Sequence, residues 1–369
     1  MKYKILLFAL TICSVTCFAQ IGTGIFDASQ LGFDTAVSQA VAAANSTNLG
    51  QTVILPMGHT YTTNGVDTTT SPSGACVNIE GYETSELPGG VKFTVQYVGA
   101  AGGTAIKHTD TRASGGCHWS NIIVDCNHLC ATAFDSSGQF RFYAENLSAL
   151  NCTGDCVIAG QVTTPGNSND YEQFWNHLQT GLSGSGTVGA GAYALVVNAT
   201  DSRFYDVRAF GGSTCAMLVN HGANVFYDFH PQPGTSGALN CGFEDHSTGI
   251  DFYGLECDTT VQYCGKFYGH NSHVIGGRAV WNGSYNSTGA LLWYFDGSAA
   301  NNTVRSFSCT SYPTGTMQFL YNVSGTNYPT TVSGLPTGTT VEQLNSCNGS
   351  NVYNPTTIPT IYGKTQNVM

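Results

Sequence analysis

The sequence predicts an all-β protein in which short parallel strands stack into one solenoid behind a single N-terminal helix. Three observations predict this fold. A short pattern of apolar and polar residues recurs along most of the 369 residues, only one segment has helical periodicity, and 45 glycines accompany just 9% charged residues. Stacked coils need apolar interiors and residues that tolerate sharp bends, and both are abundant here.

The first element is a signal peptide, which we predict at residues 1-19. Two lysines precede the apolar run Ile5 to Val15, and Ala19 ends the segment, an order that is typical of export signals. The run is too short to span a bilayer, so we expect a secreted protein, located in the periplasm or at the cell surface in a bacterium. Cys17 raises a lipoprotein alternative, which Thr16 in front of it disfavours.

The helix follows, within a predicted N-terminal cap over residues 20-50. Asp27 and Ser29 are available as N-cap residues. Beyond the cap, residues 51-325 read as short strands punctuated by Gly, Asn and Ser, and residues 326-369 as an extended tail. The apolar residues of the helix fall on one face, at Phe33, Val37, Ala40, Val41 and Ala44.

A four-residue repeat defines the strands of the solenoid. Each copy has an apolar residue, a variable residue, a turn-forming polar residue and a second apolar residue. Successive copies are 22 to 31 residues apart, too short for a strand–helix–strand unit, so we predict coils stacked about 4.8 Å apart. Weaker copies end at Ala279 and Phe307. The six clearest copies are Trp119-Ser120-Asn121-Ile122, Ala144-Glu145-Asn146-Leu147, Trp175-Asn176-His177-Leu178, Phe204-Tyr205-Asp206-Val207, Phe226-Tyr227-Asp228-Phe229 and Phe252-Tyr253-Gly254-Leu255.

A second strand follows in each coil. Its first column is apolar and is predicted to face inward, while its last column is Asp, Asn or Gly, residues that suit a sharp bend. The eight copies are Ala133-Phe134-Asp135, Ile158-Ala159-Gly160, Val196-Val197-Asn198, Leu218-Val219-Asn220, Phe243-Glu244-Asp245, Phe267-Tyr268-Gly269, Tyr294-Phe295-Asp296 and Leu320-Tyr321-Asn322.

Twelve cysteines remain after the signal peptide, an even number that a secreted disulfide framework requires. Four of them allow two pairings. Separations of 26 residues favour pairing between stacked coils, and the alternative is pairing within each coil. The first pairing joins Cys126 to Cys152 and Cys130 to Cys156, and the second joins Cys126 to Cys130 and Cys152 to Cys156. The other predicted bonds are Cys215–Cys241, Cys257–Cys264, Cys76–Cys117 and Cys309–Cys347.

Nine Asn-x-Ser/Thr sequons would make the chain a glycoprotein in a eukaryotic secretory pathway. They carry little meaning in a bacterium, because a chain this rich in Asn, Ser and Thr produces several by chance. The sequons begin at Asn45, Asn146, Asn151, Asn198, Asn282, Asn286, Asn301, Asn322 and Asn348.

The segment Phe26 to Tyr61 resembles a known family. Its helix and its hairpin, Val53-Ile54-Leu55-Pro56-x-Gly58-x-x-Tyr61, are similar to the N-terminal cap and first coil of the pectate-lyase-like superfamily of right-handed parallel β-helices. Leu87-Pro88-Gly89-Gly90-Val91, with Gly102-Gly103-Thr104-Ala105-Ile106, resembles the second coil. The resemblance covers about residues 26 to 325 and implies a single right-handed parallel β-helix with an N-terminal capping α-helix. It implies no single activity, because the superfamily includes lyases, hydrolases, epimerases, tailspikes and non-catalytic surface proteins.

Composition limits the ligand. Without the signal peptide, ten Lys and Arg stand against 23 Asp and Glu, a formal charge of −13. Such a surface repels polyanions, so we expect no nucleic-acid partner and favour a neutral or weakly acidic glycan.

Glu244 and Glu256 are the predicted catalytic carboxyl pair, because glycoside hydrolysis needs two carboxyl groups about 5 to 9.5 Å apart. Glu256 belongs to an outward column with Arg208 and His230, which are predicted to assist it. Glu244 precedes the second bend and is also predicted to point outward. Surface solvation competes with catalysis for each of the four.

Five aspartates have a stronger structural explanation. They occupy bend columns whose other members are Asn, Gly or Ser, so we predict that they cap turns rather than catalyse. These aspartates are Asp135, Asp206, Asp228, Asp245 and Asp296.

Outward aromatic columns are the predicted substrate-binding surface, because exposed aromatic stripes stack on sugars or bury against a partner. Packing under neighbouring loops is the competing explanation. Tyr205, Tyr227 and Tyr253 share one column. A second column contains Tyr268, Phe295 and Tyr321, with Trp293 beside it.

Three histidines, His221, His246 and His270, follow the second bend at nearly the same register. We include His246 and His270 among the substrate-binding candidates. Stacked imidazoles could bind a metal or shuttle protons, but a hydrogen-bonded surface ladder is favoured, and we predict no metal site.

These features predict an exported protein that binds and cleaves a polysaccharide or cell-surface glycan, as a glycoside hydrolase or a polysaccharide lyase. The alternative is a non-catalytic structural, adhesive or filament-forming protein, whose aromatic columns serve self-assembly or homo-oligomers. We expect no membrane span and no cofactor, since calcium, which would serve a uronate lyase, has no motif here.

Overall fold

The computed structural model describes residues 24–70, 75–82, 95–109, 114–160, 172–182, 191–212, 215–233, 239–258, 260–281, 290–296, 298–311, 317–323 and 338–343. Its helices are α1 (Ala28–Leu31) and α2 (Phe33–Thr47). The strands are β1 (Ile25–Asp27), β2 (Gln51–Leu55), β3 (Tyr61–Thr63), β4 (Val66–Asp67), β5 (Val77–Gly81), β6 (Val95–Tyr97), β7 (Thr104–Lys107), β8 (Ser114–Gly115), β9 (His118–Asp125), β10 (Thr132–Asp135), β11 (Gln139–Phe140), β12 (Tyr143–Cys152), β13 (Val157–Ala159), β14 (Phe174–Leu182), β15 (Leu195–Val197), β16 (Arg203–Phe210), β17 (Cys215–Val219), β18 (Asn224–Gln232), β19 (Leu239–Asp245), β20 (Ile250–Asp258), β21 (Thr260–Phe267), β22 (His273–Trp281), β23 (Ala290–Phe295), β24 (Thr303–Ser311), β25 (Met317–Val323) and β26 (Thr340–Gln343).

Two long sheets contain nearly all of these strands. Sheet 1 has the order β1-β2-β5-β9-β12-β14-β16-β18-β20-β22-β24-β26, with β3 and β6 beside it, and sheet 2 has the order β4-β7-β10-β13-β15-β17-β19-β21-β23-β25. Neighbouring strands in both sheets are parallel. Successive coils give one strand to each sheet, so the predicted all-β parallel solenoid is confirmed. Its right-handed sense and the capping role of the helix stay predictions.

Helix α2 presents the predicted face to the first coils. Phe33, Val37, Ala40 and Ala44 are buried, and Val41 packs partly against the core. The side chain of Asp27 caps the shorter helix α1 by accepting a bond from the backbone N–H of Ser29 (2.8 Å). In the described residues, no helix is long and apolar enough to cross a membrane.

The sheets extend past the predicted domain boundaries. Strand β1 pairs with β2 before residue 51, and β26 pairs with β24 after residue 325. The signal peptide and residues 344–369 lie outside the described residues.

A ladder of aromatic rings fills the interior. Trp175 and Phe204 are stacked with centroids 6.3 Å apart, and Phe204 and Phe226 are 4.5 Å apart. All three rings are fully buried. These inward rings are the first residues of the predicted repeat, so the repeat identifies the inner face of sheet 1 correctly.

The third residue of each repeat bends its strand. This position has a positive φ in all six clear copies, from 46° at Asp206 to 81° at Gly254. Asn and Asp tolerate this left-handed conformation better than other residues with a side chain. At Gly254 a Cβ would lie 2.5 Å from the Asp228 carboxylate, so a side chain there would displace that carboxylate.

The weaker repeat copies are only partly correct. Phe307 holds the predicted fourth position and pairs with Gly277. Ala279 does not hold that position, because the left-handed residue of its strand is Gly276 and the fourth position is therefore Gly277.

Five disulfides join the described cysteines: Cys76–Cys117, Cys126–Cys130, Cys152–Cys156, Cys215–Cys241 and Cys257–Cys264. The pairing of Cys126 and Cys130 with the next coil is wrong, and the alternative within each coil is correct. Left-handed Asn127 and His128 form a tight corner that brings the Cα atoms of Cys126 and Cys130 to 4.9 Å. The predicted Cys309–Cys347 bond lies outside the described residues.

The predicted register of the second strands is wrong at several steps, so the first column, predicted to face inward, faces outward at Ile158, Val196, Leu218 and Tyr294. Leu218 pairs with Glu244, whereas the repeat had aligned it with Phe243. A slip of one residue exchanges the two faces of a strand. The outward column of sheet 2 therefore contains Leu218, Glu244, Lys266 and Tyr294.

Candidate functional site

The outer face of sheet 1 carries the predicted tyrosine column. Tyr205 and Tyr227 are stacked with centroids 4.8 Å apart and an interplanar angle of 9°, and Tyr227 and Tyr253 are 5.3 Å apart at 15°. The column continues through Phe174, 5.1 Å from Tyr205, to Tyr143, 6.0 Å from Phe174. Five rings thus form one ladder across five coils.

Ring orientation divides this ladder into two parts. Tyr205, Tyr227 and Tyr253 are nearly parallel, so their faces cover one another and solvent meets mainly their edges. Self-packing, the competing explanation for this column, therefore accounts for much of it. Tyr143 and Phe174 are tilted by 40° to each other and are 48% and 36% exposed, which leaves face area accessible to a ligand.

An open pocket of about 360 Å³ borders these two tilted rings. Besides Tyr143 and Phe174, its walls contain His118, Glu145 and Asn176. The His118 Nε2 and Glu145 Oε2 atoms are 3.8 Å apart, and both side chains are partly exposed. The pocket combines two aromatic faces with a carboxylate, an imidazole and an amide that can bind hydroxyl groups.

Strand alternation places the pocket residues together. Tyr143 pairs with His118 on one side and with Phe174 on the other, and Glu145 pairs with Asn176. The intervening residues face the core. We did not predict this site, although the repeat contained its signal: the residue before each inward aromatic and the residue after it both face outward.

The charged column of sheet 1 is present as predicted. Arg208 pairs in register with His230, and Glu256 pairs with Arg278. The His230 Nε2 atom lies 3.9 Å from Glu256 Oε1, and an Arg278 guanidinium nitrogen bonds the same carboxylate. Three predicted catalytic residues therefore lie on one face of the solenoid.

Asp258, which was not among the predicted catalytic residues, completes this cluster. It lies two residues after Glu256 on β20, so both carboxylates face outward, and its Oδ2 atom is 3.0 Å from His230 Nε2. The signal was the same alternation that placed Glu256.

Glu244 belongs to sheet 2, whereas the cluster lies on sheet 1. Its side chain is only 10% exposed. The Tyr193 hydroxyl donates to Glu244 Oε2 (2.7 Å), and Lys266 Nζ lies 3.4 Å from Oε1. The predicted carboxyl pair of Glu244 and Glu256 is thus divided between two sheets, and neither hydrogen bond of Glu244 involves Glu256.

Tyrosine hydroxyls around Glu244 are held in the protonated form. Burial raises the pKa of the Tyr193 phenol well above its ordinary value, and the hydrogen bond to Glu244 raises it further. Burial, followed by the charge of Glu244, raises the pKa of Tyr268 to about 12. These phenols are therefore hydrogen-bond donors at neutral pH, and the cluster favours a structural role for Glu244.

The second predicted aromatic column is wrong. Trp293 is 1% exposed and packs against Phe307 in the core, and Phe295 is fully buried against Phe267. The one-residue slip between β21 and β23, where Phe267 pairs with Phe295 rather than with Tyr294, causes both errors. Tyr268 is partly exposed, and the side chain of Tyr321 lies outside what the structure describes.

The predicted histidine column is not continuous. Thr248, not His246, pairs with His270. The ring of His246 instead stacks on Tyr268 at 4.5 Å, and His270 Nδ1 accepts a bond from the Ala300 N–H (3.0 Å). Each imidazole therefore makes its own separate contact, and the two rings do not stack in one column.

The bend aspartates behave as predicted. Asp135, Asp245 and Asp296 each accept the backbone N–H of the serine two residues later, whereas Asp206 and Asp228 are the left-handed bend residues of their strands. Four sequon asparagines form hydrogen bonds between coils. The side-chain amides of Asn146, Asn151 and Asn301 donate to Asn121, Asp125 and Asn271, and that of Asn198 donates to the Gly160 carbonyl.

Comparisons with known proteins give information only about the fold. The chain matches no described protein family and no curated protein. It is similar to the solved structure of Geobacillus virus E2 ORF18 over 82% of this chain and 62% of that one, at 11% identity and a TM-score of 0.50. The match to the Dettilon tailspike protein gp208 covers 84% of this chain and 65% of that one, at 11% identity and a TM-score of 0.38. The match to the A-module of the Azotobacter vinelandii mannuronan C-5 epimerase AlgE6 covers 87% of this chain and 95% of that one, at 11% identity and a TM-score of 0.35.

The chain thus spans less than two thirds of the first two of these proteins. At this identity the likeness supports a parallel β-solenoid and carries no information about the ligand.

Proposed function

We propose that this protein is an exported polysaccharide-binding solenoid whose sugar site is the pocket between Tyr143 and Phe174. One observation carries the proposal: two exposed aromatic rings, tilted away from each other, border a cavity lined by Glu145, His118 and Asn176. The apolar face of a sugar ring packs on aromatic faces, and its hydroxyls need hydrogen-bonding groups of the kind that line this pocket.

A neutral or weakly acidic glycan suits this site best. Glu145 is the one carboxylate in the pocket wall, and the formal charge of −13 that follows signal removal disfavours a polyanion. Five disulfides among the described residues support export, because such bonds persist in oxidising compartments.

Binding to a panel of polysaccharides tests the proposal. We expect the protein to bind at least one neutral or weakly acidic polysaccharide, and Tyr143→Ala or Phe174→Ala to weaken that binding about tenfold, or about 1.4 kcal/mol. Isothermal titration with a soluble glycan measures the change, and thermal unfolding checks that the variants fold.

Tyr253→Ala is the matched control. Its ring is 37% exposed, close to that of Phe174, but it belongs to the parallel part of the ladder, so we expect little loss of binding. Equal losses in all three variants would refute the pocket as the site. Absence of binding across the panel would refute the function and favour the non-catalytic structural alternative.

The same panel tests cleavage. New reducing ends alone would indicate a hydrolase, and new reducing ends with unsaturated-uronate absorbance would indicate a lyase. If turnover is found, Glu244→Gln is expected to leave it unchanged, since Glu244 belongs to sheet 2 and the pocket lies on the outer face of sheet 1.

A further inference from the structure

We propose that His230, Glu256 and Asp258 form a binding site for a divalent transition-metal ion, with Zn²⁺ as the best match. The ligand atoms of these three side chains lie within 4.8 Å of one another. In the described part of the chain no other group of three His, Cys, Asp or Glu residues converges in this way. The proposal is independent of glycan binding.

Two neighbouring strands create the cluster. His230 faces outward from β18, and Glu256 and Asp258 face outward from β20, two residues apart. The His230 Nε2 atom is 3.0 Å from Asp258 Oδ2 and 3.9 Å from Glu256 Oε1. Ligands bound at about 2.0 to 2.2 Å from a zinc ion are separated by about 3 to 3.6 Å, so only small side-chain movements are needed.

The hydrogen bonding around His230 favours a cation. Its Nε2 atom faces the Asp258 carboxylate and, at 2.9 Å, the terminal amide nitrogen of Gln232. If Nε2 is protonated, its N–H faces the N–H groups of the Gln232 amide. If Nε2 is unprotonated, its lone pair faces the carboxylates of Asp258 and Glu256. With the Gln232 amide turned so that Oε1 faces the ring, a protonated imidazole satisfies these neighbours, and a metal ion at the Nε2 lone pair would take the place of the proton.

A metal ion would bind the same groups. The Nε2 lone pair and the two carboxylates become ligands, and a half-turn of the Gln232 amide brings Oε1, a possible fourth ligand, toward the ion. The two carboxylate charges balance a divalent cation.

The backbone around the cluster is held rigidly. Cys257 lies between the two carboxylates, points inward with 1% exposure, and is joined to Cys264 on β21. On β18, His230 is flanked by Phe229 and Pro231, both of which are buried. Fixed ligand positions of this kind lower the reorganisation that metal binding requires.

The ligand set selects the class of ion. Imidazole nitrogen with carboxylate oxygen suits zinc and its neighbours, whereas calcium needs six to eight oxygen ligands. The three side chains are 20 to 29% exposed, so coordination positions stay open toward solvent. The guanidinium of Arg278, which bonds Glu256, competes with the ion.

Isothermal titration of the chelator-treated full chain with Zn²⁺, and the visible absorption of bound Co²⁺, test the site. We expect one equivalent of each metal to bind, and His230→Ala or Asp258→Asn to weaken binding about tenfold or more. Arg278→Gln is expected to tighten binding, because it removes the competing cation. Zn²⁺ should also raise the unfolding temperature of the wild-type protein more than that of Asp258→Asn.

His273→Ala is the matched control. His273 forms a similar pair with Asp251 across the next two strands (2.7 Å) but has no third ligand, so we expect Zn²⁺ binding to be unchanged. Absence of Zn²⁺ binding in the wild-type protein, equal binding by the His230→Ala variant, or a preference for Ca²⁺ over Zn²⁺ would overturn the proposal.

Discussion

Replacement of Lys266 by methionine is expected to lower the free energy of unfolding by about 3 kcal/mol at neutral pH. Lys266 is the cation beside Glu244, and the two side chains are only 14% and 10% exposed. Its removal leaves a carboxylate in a nearly dry site with the hydroxyl of Tyr193 as its remaining hydrogen bond. Lys266 also lies 5.6 Å from the ring of Tyr263, and that contact is lost as well.

Chemical denaturation measures this loss of stability, and an exposed ion pair serves as the matched control. Lys107 and Asp67 form the same kind of bond between coils of sheet 2 (3.3 Å), but their side chains are about 40% exposed. Lys107→Met is therefore expected to cost under about 1 kcal/mol. Adding Glu244→Gln to Lys266→Met should restore most of the loss. Similar costs for the two lysines would contradict the burial of the Glu244 site.

Asp245→Ala is expected to destabilise the protein by about 3 kcal/mol, because it leaves several buried donors without an acceptor. The Asp245 side chain is fully buried. It accepts the N–H (2.8 Å) and hydroxyl (2.5 Å) of Ser247, and the hydroxyl of Ser272 (2.5 Å) on the next coil. Asp296 makes the same bonds to its own serine, Ser298, in an exposed turn, so Asp296→Ala should cost about 1 kcal/mol or less.

The two aspartates should also differ in the sign of their pH dependence. Burial raises the pKa of Asp245 above its ordinary value, so its contribution to stability is full below about pH 4 and is lost as pH rises through the folded pKa. Hydrogen bonds from Ser298 lower the pKa of Asp296, so its contribution is full above about pH 4 and is lost as pH falls.

Unfolding curves between acid and neutral pH check these signs. The stability difference between wild type and Asp245→Asn should decrease with rising pH, and that between wild type and Asp296→Asn should decrease with falling pH. Parallel pH profiles for the two variants would contradict the difference in burial.

Sheet 1 could be predicted from the sequence because its repeat has two strong physical requirements. An inward aromatic such as Phe226 and a left-handed residue such as Asp228 recur together, and few residue types satisfy the second position. The outward positions follow by alternation. This is why Tyr227 and His230 were placed on the correct face.

Sheet 2 could not be predicted to the same accuracy because its strands are apolar on both faces. Residues such as Met217, Leu218 and Val219 in β17 show no alternation that would fix a register. The slip by one residue between β21 and β23, where Phe267 pairs with Phe295 rather than with Tyr294, placed Trp293 on the surface.

The pocket and the disulfides depended on local geometry that a repeat does not encode. The tilt of Tyr143 against Phe174 follows from ring packing at the end of the ladder. The corner at Asn127 and His128 decided the pairing of Cys126, although a spacing of 26 residues had favoured the next coil.

A crystal structure of the protein with an oligosaccharide from a polysaccharide that it binds is the most direct test of the proposed function. We predict a sugar ring packed against Tyr143 or Phe174, with its hydroxyls bonded to Glu145 or Asn176. An oligosaccharide bound on sheet 2, or along Tyr205 to Tyr253 with the pocket empty, would contradict this function for the site.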